Sequence, residues 1–206
     1  MSLAGDAVRA LSTWAPPDDE QDRLRQRFLD LLHAEPAAVR AEHPGRHLTA
    51  SALVLDATGA RALLNLHGRV RQWMQFGGHC EPDDPSLAAA ALREATEESG
   101  IDGLWIHPEP IHLDIHPVRC RSGDSVHYDV RFLVVAPAGA IEKISDESLS
   151  LAWFPPDALP EPLAGATEPL IVAALAAFAT RPIPAQALST RALPSALRAD
   201  ARPLDA

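Results

Sequence analysis

The sequence predicts a mixed α/β (α+β) layered domain, on three observations. One strongly helical stretch in mid-chain ends in a crowd of carboxylates, runs of strand-like apolar residues stand on both sides of it, and helical stretches close both ends. No internal repeat or membrane-length apolar run competes with that reading.

The chain justifies each element in order. Residues 1–17 are short, mixed in character and end in prolines, and are expected to form a loosely held lead-in. Asp18 or Asp19 can cap a helix in which Leu24, Phe28, Leu31 and Leu32 fall at i, i+4, i+7 and i+8. That stripe should pack on the domain; a homodimer contact or a lid over a site are alternatives. Residues 36–40 can add a turn, stopped by Pro44-Gly45. Residues 47–56 read as a strand, Thr58-Gly59 as a turn and 61–67 as the hairpin partner. Trp73 and Phe76, just before Gly77, read as core or loop anchors rather than base-stacking platforms.

Gly77-Gly78-His79-Cys80 then opens a loop into the mid-chain helix. Asp84 is a good N-cap and Pro85 suits the first helical position, where a missing N–H costs nothing. Residues 87–92 are strong helix formers, and Gly100 stands where a helix needs a left-handed stop. The helix is expected over 85–99.

After it come strands at about 104–107, 111–116 and 127–135. Ile111, Leu113 and Ile115 take one face, and His112, Asp114 and His116 the other. Tyr128, Val130, Phe132 and Val134 likewise oppose His127, Asp129 and Arg131. A two-residue loop at Ser122-Gly123 sets Asp114 opposite Arg131 and His116 opposite Asp129, both complementary pairs. The polar face is either solvated or the lining of a substrate cleft, with an extra His/Asp metal site as a third reading. Residues 139–149 form a charged loop carrying Asp146 and Glu147. A short strand at 150–154 and a helix at 168–180 follow, and 181–206 reads as a Pro/Ala-rich tail. The organisation is thus a helical extension (1–46), a domain (47–180) and a tail (181–206).

Composition excludes several function classes. A formal net charge of −10 with no basic stripe argues against nucleic-acid binding. Neither a membrane span nor a leader pattern is legible, so a soluble cytoplasmic protein is expected. The 2 cysteines are too few for a disulfide framework or a four-ligand zinc site, and Cys80 reads as a small buried hydrophobe.

Glu94, Glu97 and Glu98 stand at i, i+3 and i+4 and project from one helix face. Like charges at that spacing repel, and carboxylates in the last turns face the negative end of the helix dipole. Each effect costs a few tenths of a kcal/mol, so a solvated acidic face is tolerable. A hard divalent cation reverses the sign of both. Arg93 beside the cluster can hold a carboxylate through its planar fork.

Arg93-Glu94-Ala95-Thr96-Glu97-Glu98-Ser99-Gly100-Ile101, preceded by Gly77-Gly78, resembles the signature box of the Nudix hydrolases: a glycine, a spaced acid, then Arg-Glu-aliphatic-any-Glu-Glu-any-Gly-aliphatic. The second half matches at every fixed position. The first half departs: Asp84 stands for the family's first glutamate, and one extra residue separates it from Arg93, which puts the loop geometry in question more than the metal site. The resemblance is firm over 77–101 and looser over 48–178.

It implies a Nudix-type α/β/α sandwich with a mixed sheet, the box forming its one catalytic loop and helix. The implied reaction is metal-dependent hydrolysis of a diphosphate linkage in a nucleoside diphosphate joined to another group. Glu94, Glu97 and Glu98 with the carbonyl of Gly77 are the implied ligands of Mg2+ (or Mn2+), and Arg93 orients the glutamates. The base is Glu94, Glu98 or Glu147. Gly78, His79, His112, Asp114, His116, His127 and Arg131 are the candidates for contact with a small-molecule nucleotide. Pro117 falls about where ADP-ribose-cleaving members carry a proline; deoxynucleoside triphosphates and nucleotide sugars stay open beside ADP-ribose. Two other classes share the fold: a non-hydrolytic nucleotide or ADP-ribose sensor, against which the intact glutamates argue, and a diphosphate isomerase.

Overall fold

The computed structural model describes residues 2–120, 123–145 and 148–189. Eight strands form one mixed sheet: β1 (Arg46–Leu55), β2 (Ala62–His67), β3 (Trp73–Met74), β4 (Phe76–His79), β5 (Trp105–Ile106), β6 (His112–Cys120), β7 (Gly123–Val135) and β8 (Ser148–Phe154). Its path runs β3-β2-β1-β7-β5, with β4 on β1, β6 on β7 and β8 on β2. Among the described strands the central β1–β7 ladder is parallel and the other ladders are antiparallel.

Helices cover both faces. On one lie α1 (Leu3–Thr13), α2 (Asp19–Ala34) and α3 (Leu87–Ser99), whose Leu11, Phe28, Leu87 and Ala91 share a core with Leu48, Ala50 and Phe132. On the other lies α4 (Thr167–Thr180), whose Leu170, Ile171 and Ala174 pack on Leu53, Leu55, Leu64 and Leu133. This is the expected α/β/α sandwich, in which alternate residues of each buried strand feed one core or the other. No helix among the described residues is long and apolar enough to cross a membrane.

Residues 2–17 depart from expectation. α1 is no loose lead-in: Ala7, Leu11 and Trp14 are buried, and the Asp6 carboxylate accepts from the Leu87 amide at 3.0 Å. A side chain 81 residues away thus satisfies one of the orphan N–H groups opening α3. Replacing it (Asp6→Ala) leaves that buried donor without a partner and is expected to cost about 1–3 kcal/mol in denaturant unfolding. The α2 stripe packs as expected, with Asp18 as its N-cap. Gln21 fastens it further: its amide exchanges hydrogen bonds with the backbone N–H (2.7 Å) and carbonyl (3.2 Å) of Leu113 in β6.

α3 begins two residues later than expected. Ser86 is the N-cap, accepting from Ala89 N at 3.0 Å, which releases Asp84 for the loop. Gly100 ends it with φ 63°, as its position predicted. Trp73 and Phe76 are anchors as expected: Phe76 is fully buried, and Trp73 meets Phe154 edge-on at 5.0 Å.

The β6–β7 register differs from the expected one by two residues. Gly123 is the first residue of β7 and pairs with Cys120, so Asp114 faces Asp129, His116 faces His127 and His112 faces Arg131. The stretch read as a tail is tied at its start, since Arg181 donates to the Pro110 carbonyl at 3.2 Å. A short α5 (Ala185–Leu188) follows.

Candidate active site

β4 carries the box glycines along β1, with Ser51 opposite Gly77, Ala50 opposite Gly78 and Thr49 opposite His79. Gly77 has φ 147°, and a Cβ there meets Ser51 Cα at 2.6 Å and the Ala50 carbonyl at 2.7 Å. Backbone against backbone at that distance admits glycine alone. A Cβ on Gly78 meets something different: the carboxylate of Glu94, at 2.9 Å from Oε1. Glu94 therefore lies over the bare backbone of the loop.

Arg93 organises the acids. Its Nη1 donates to Glu94 Oε1 at 3.0 Å and Glu97 Oε2 at 3.3 Å, and its Nη2 to the His79 carbonyl at 3.0 Å. Asp84 takes Nε at 3.2 Å and Nη2 at 3.1 Å while accepting from the Glu81 amide at 2.7 Å. Hydrogen bonding to Asp84, then the charge of Glu94, pushes the Arg93 guanidinium further up. The shorter acid and the extra residue thus still tie the loop to the helix.

The three glutamates differ in exposure. Glu98 is 8% exposed and Glu94 is partly buried, whereas the Glu97 side chain is 61% exposed. Asn65 of β2 places Nδ2 3.5 Å from Glu98 Oε2, and its buried Oδ1 has no hydrogen-bond partner among the described residues. Carboxylate and amide oxygens are the donor type that suits Mg2+ or Mn2+, but among the described residues the three side chains whose ligand atoms converge within 4.8 Å are His47, His79 and His127, not the three glutamates. Asn65 was not anticipated, though one polar residue inside the apolar run 62–66 was the available signal. Glu147 lies outside the described residues.

The polar face of β1, β6 and β7 is buried toward its centre and partly open at Asp114, His116 and His127. Asp129 and Arg131 are each 1% exposed. Asp129 accepts from Thr49 Oγ1 (3.0 Å), Ser51 Oγ (2.7 Å) and Arg131 Nε (2.7 Å). Arg131 also donates to Asp114 Oδ2 (3.0 Å) and to the Ala166 carbonyl (2.9 Å), and Asp114 Oδ2 stands 2.6 Å from His116 Nδ1. Arg131 thus bridges the two carboxylates that the register sets face to face. Burial alone raises the Asp129 carboxyl, but Arg131 and the Ser51 hydroxyl outweigh it and hold it below its usual value.

His79 and His127 meet His47 on this face, with ring centroids 4.9–5.2 Å apart. Burial, then repulsion from His47 and its neighbours, pushes His127 down to about 3. His112 stands apart, 3.3 Å from Gln21 Nε2, and burial pushes it down to about 4. Cys80 is buried in the core, and burial first of all pushes its thiol up to about 12, which suits the small hydrophobe expected. Two cavities of about 180 and 250 Å³, beside Trp153 and Tyr128 respectively, are lined by none of the three glutamates.

The model of the NUDIX domain family matches residues 45–174 of the chain. No curated protein sequence matches it. Many solved structures match, and two of them illustrate the shared fold. One is a C. elegans Ap4A hydrolase in a binary complex, 20% identical over 64% of this chain and 97% of that one, with a TM-score of 0.53. The other is RenU, a Nudix hydrolase from M. Smegmatis, 20% identical over 68% and 91% of the respective chains, with a TM-score of 0.50.

Proposed function

The chain belongs to the NUDIX domain family, as an enzyme acting on pyrophosphate bonds, and we propose that it hydrolyses the diphosphate linkage of a nucleoside diphosphate joined to a further group, in a reaction that requires Mg2+ or Mn2+. The observation that carries this reading is the clamped acid set: Glu94 over the bare Gly78 backbone, and Glu94 and Glu97 both held by one guanidinium.

Glu94, Glu97 and Glu98, with the Gly77 carbonyl, are the residues to hold the ion. When bound, a divalent ion polarises the phosphate, lowers the pKa of the attacking water and steadies the leaving oxygen. The chain's own groups do the positioning. Asp84 fixes Arg93, and Arg93 fixes Glu94 and Glu97 and ties the box loop through the His79 carbonyl. The base is drawn from Glu94, Glu98 and Glu147; Glu98 and Glu94 already sit on the fixed helix, as a catalytic group requires. His116 and Asp114, half-buried in front of Arg131, share the face of His127 rather than that of the glutamates, so they can meet a sugar hydroxyl remote from the diphosphate but not the reacting phosphate.

A substrate panel with Mg2+ tests the proposal: nucleoside triphosphates, ADP-ribose, nucleotide sugars and Ap4A. The expected result is cleavage of one phosphoric anhydride, lost in both Glu97→Gln and Glu98→Gln. Binding without turnover of any member, or allylic rearrangement of a prenyl diphosphate without phosphate release, overturns it.

Gly78→Ala separates positioning from folding. The added methyl confronts the far end of the flexible Glu94 side chain rather than backbone, so the fold should lose less than about 1 kcal/mol. Glu94 must move off the loop, and a displacement near 1 Å at such a site costs about 100-fold in kcat. Steady-state kinetics beside a thermal melt checks both halves.

A further inference from the structure

We propose that His47, His79 and His127 bind one transition-metal ion of the Zn2+ class, on the face of the sheet opposite the acidic helix. The three side chains come from β1, β4 and β7, and one nitrogen of each lies within 4.8 Å of the other two. Nε2 of His47 and Nε2 of His79 are 3.0 Å apart. Zinc bonds imidazole nitrogen at about 2.0–2.1 Å, which in a tetrahedron sets two donors roughly 3.3 Å apart. The first pair therefore stands near ligand spacing, and side-chain rotation of His127 closes the third corner.

Strand alternation separates this cluster from the glutamates. His79 pairs with Thr49 and shares the face of His47, Thr49 and Ser51, while the neighbouring Gly78 turns its α-carbon substituent position toward Glu94 on the α3 side. The donor sets differ in kind as well. Imidazole nitrogens without a carboxylate suit Zn2+, Co2+ or Ni2+, whereas the oxygen set on α3 suits Mg2+. Ser125 Oγ lies 3.4 Å from the other nitrogen of His47, an outer contact that orients the ring with Nε2 toward the cluster. Three histidines leave a fourth position for water.

Such an ion fastens the box loop. β4 is only four residues long, and the His79 carbonyl is the one Arg93 holds. Coordination joins that strand through its side chain to β1 and β7, so the ion should stabilise the fold whether or not Mg2+ is present. His79 and His127 are thereby assigned to the ion rather than to direct substrate contact.

The test uses the full, untagged chain, stripped by chelator and held in saturating Mg2+. Titration with Co2+ should give one equivalent of the visible absorption of a low-coordinate nitrogen site, displaced by one equivalent of Zn2+, and Zn2+ should raise Tm. Losing a group that merely orients a ligand weakens metal sites by about 10–100-fold, so losing a ligand itself, in His47→Gln or His127→Gln, should weaken Zn2+ binding by at least about 100-fold. Glu98→Gln should leave it unchanged. No stoichiometric Co2+ or Zn2+ binding by the unaltered chain overturns the proposal, whatever the variants do. So does binding that Glu98→Gln abolishes and His127→Gln does not, which leaves the hydrolase reading intact.

Discussion

Glu98→Gln is expected to lower kcat by about 1,000-fold while leaving thermal stability without metal equal to or slightly above that of the unaltered chain. The two effects have opposite signs for one reason. Glu98 is the buried member of three acids in the last turns of α3, where its charge repels Glu94 one turn back and faces the negative end of the helix dipole. Removing that charge without changing side-chain shape relieves a few tenths of a kcal/mol. The same change removes an anionic oxygen that serves either as metal ligand or as base, and each role is worth about two to four orders of magnitude in rate. Kinetics at saturating Mg2+ with a melt in chelator reads both. Activity retained within about 10-fold removes Glu98 from the reaction, and a large fall in Tm makes its role structural.

Arg131→Leu is expected to destabilise the fold by about 3–5 kcal/mol, the largest stability effect of any change considered for this chain. The guanidinium is 1% exposed and is the cation between Asp129 and Asp114, which face each other across β6 and β7. Its loss leaves two carboxylates inside with the Thr49 and Ser51 hydroxyls and His116 as partners. The dependence on pH should change sign. In the unaltered chain Asp129 is held below its usual value, so its contribution is full above the unfolded pKa of about 3.9 and is lost as pH falls through the lower folded value. In Arg131→Leu burial is no longer outweighed, and the folded pKa lies above the unfolded one. Stability then falls as pH rises through the folded value and recovers on acidification. Urea unfolding between pH 4 and pH 7 distinguishes the slopes, and Asp129→Asn in the Arg131→Leu background should recover part of the loss.

Much of the site was legible because its signals are local. Glu94, Glu97 and Glu98 share a face by helical geometry alone, and Gly100 had to be left-handed once a helix ended there. The stripe of Phe28, Leu31 and Leu32 and the alternation of Leu113 with Asp114 are periodicities that survive in any tertiary setting. The cap of α3 is not decided locally, because Asp84 and Ser86 are equally good N-cap residues in isolation. Only the demand of Arg93 for Asp84 decides between them.

By itself, then, the order of residues determined the layered α/β class, the helix and strand periods, and the acid cluster with its arginine. Tertiary structure decided the two-residue register of β6 on β7, because that depends on where the turn falls rather than on the alternation within either strand. It also buried Arg131 and Asp129 of the polar face, with the Ala166 carbonyl accepting from the guanidinium. The meeting of His47, His79 and His127, and the reach of Asp6 to Leu87, are contacts between elements distant in the chain. Helix and strand periods act over a few residues, and no such period links positions tens of residues apart; only the closing of the sheet and the docking of helices on it do.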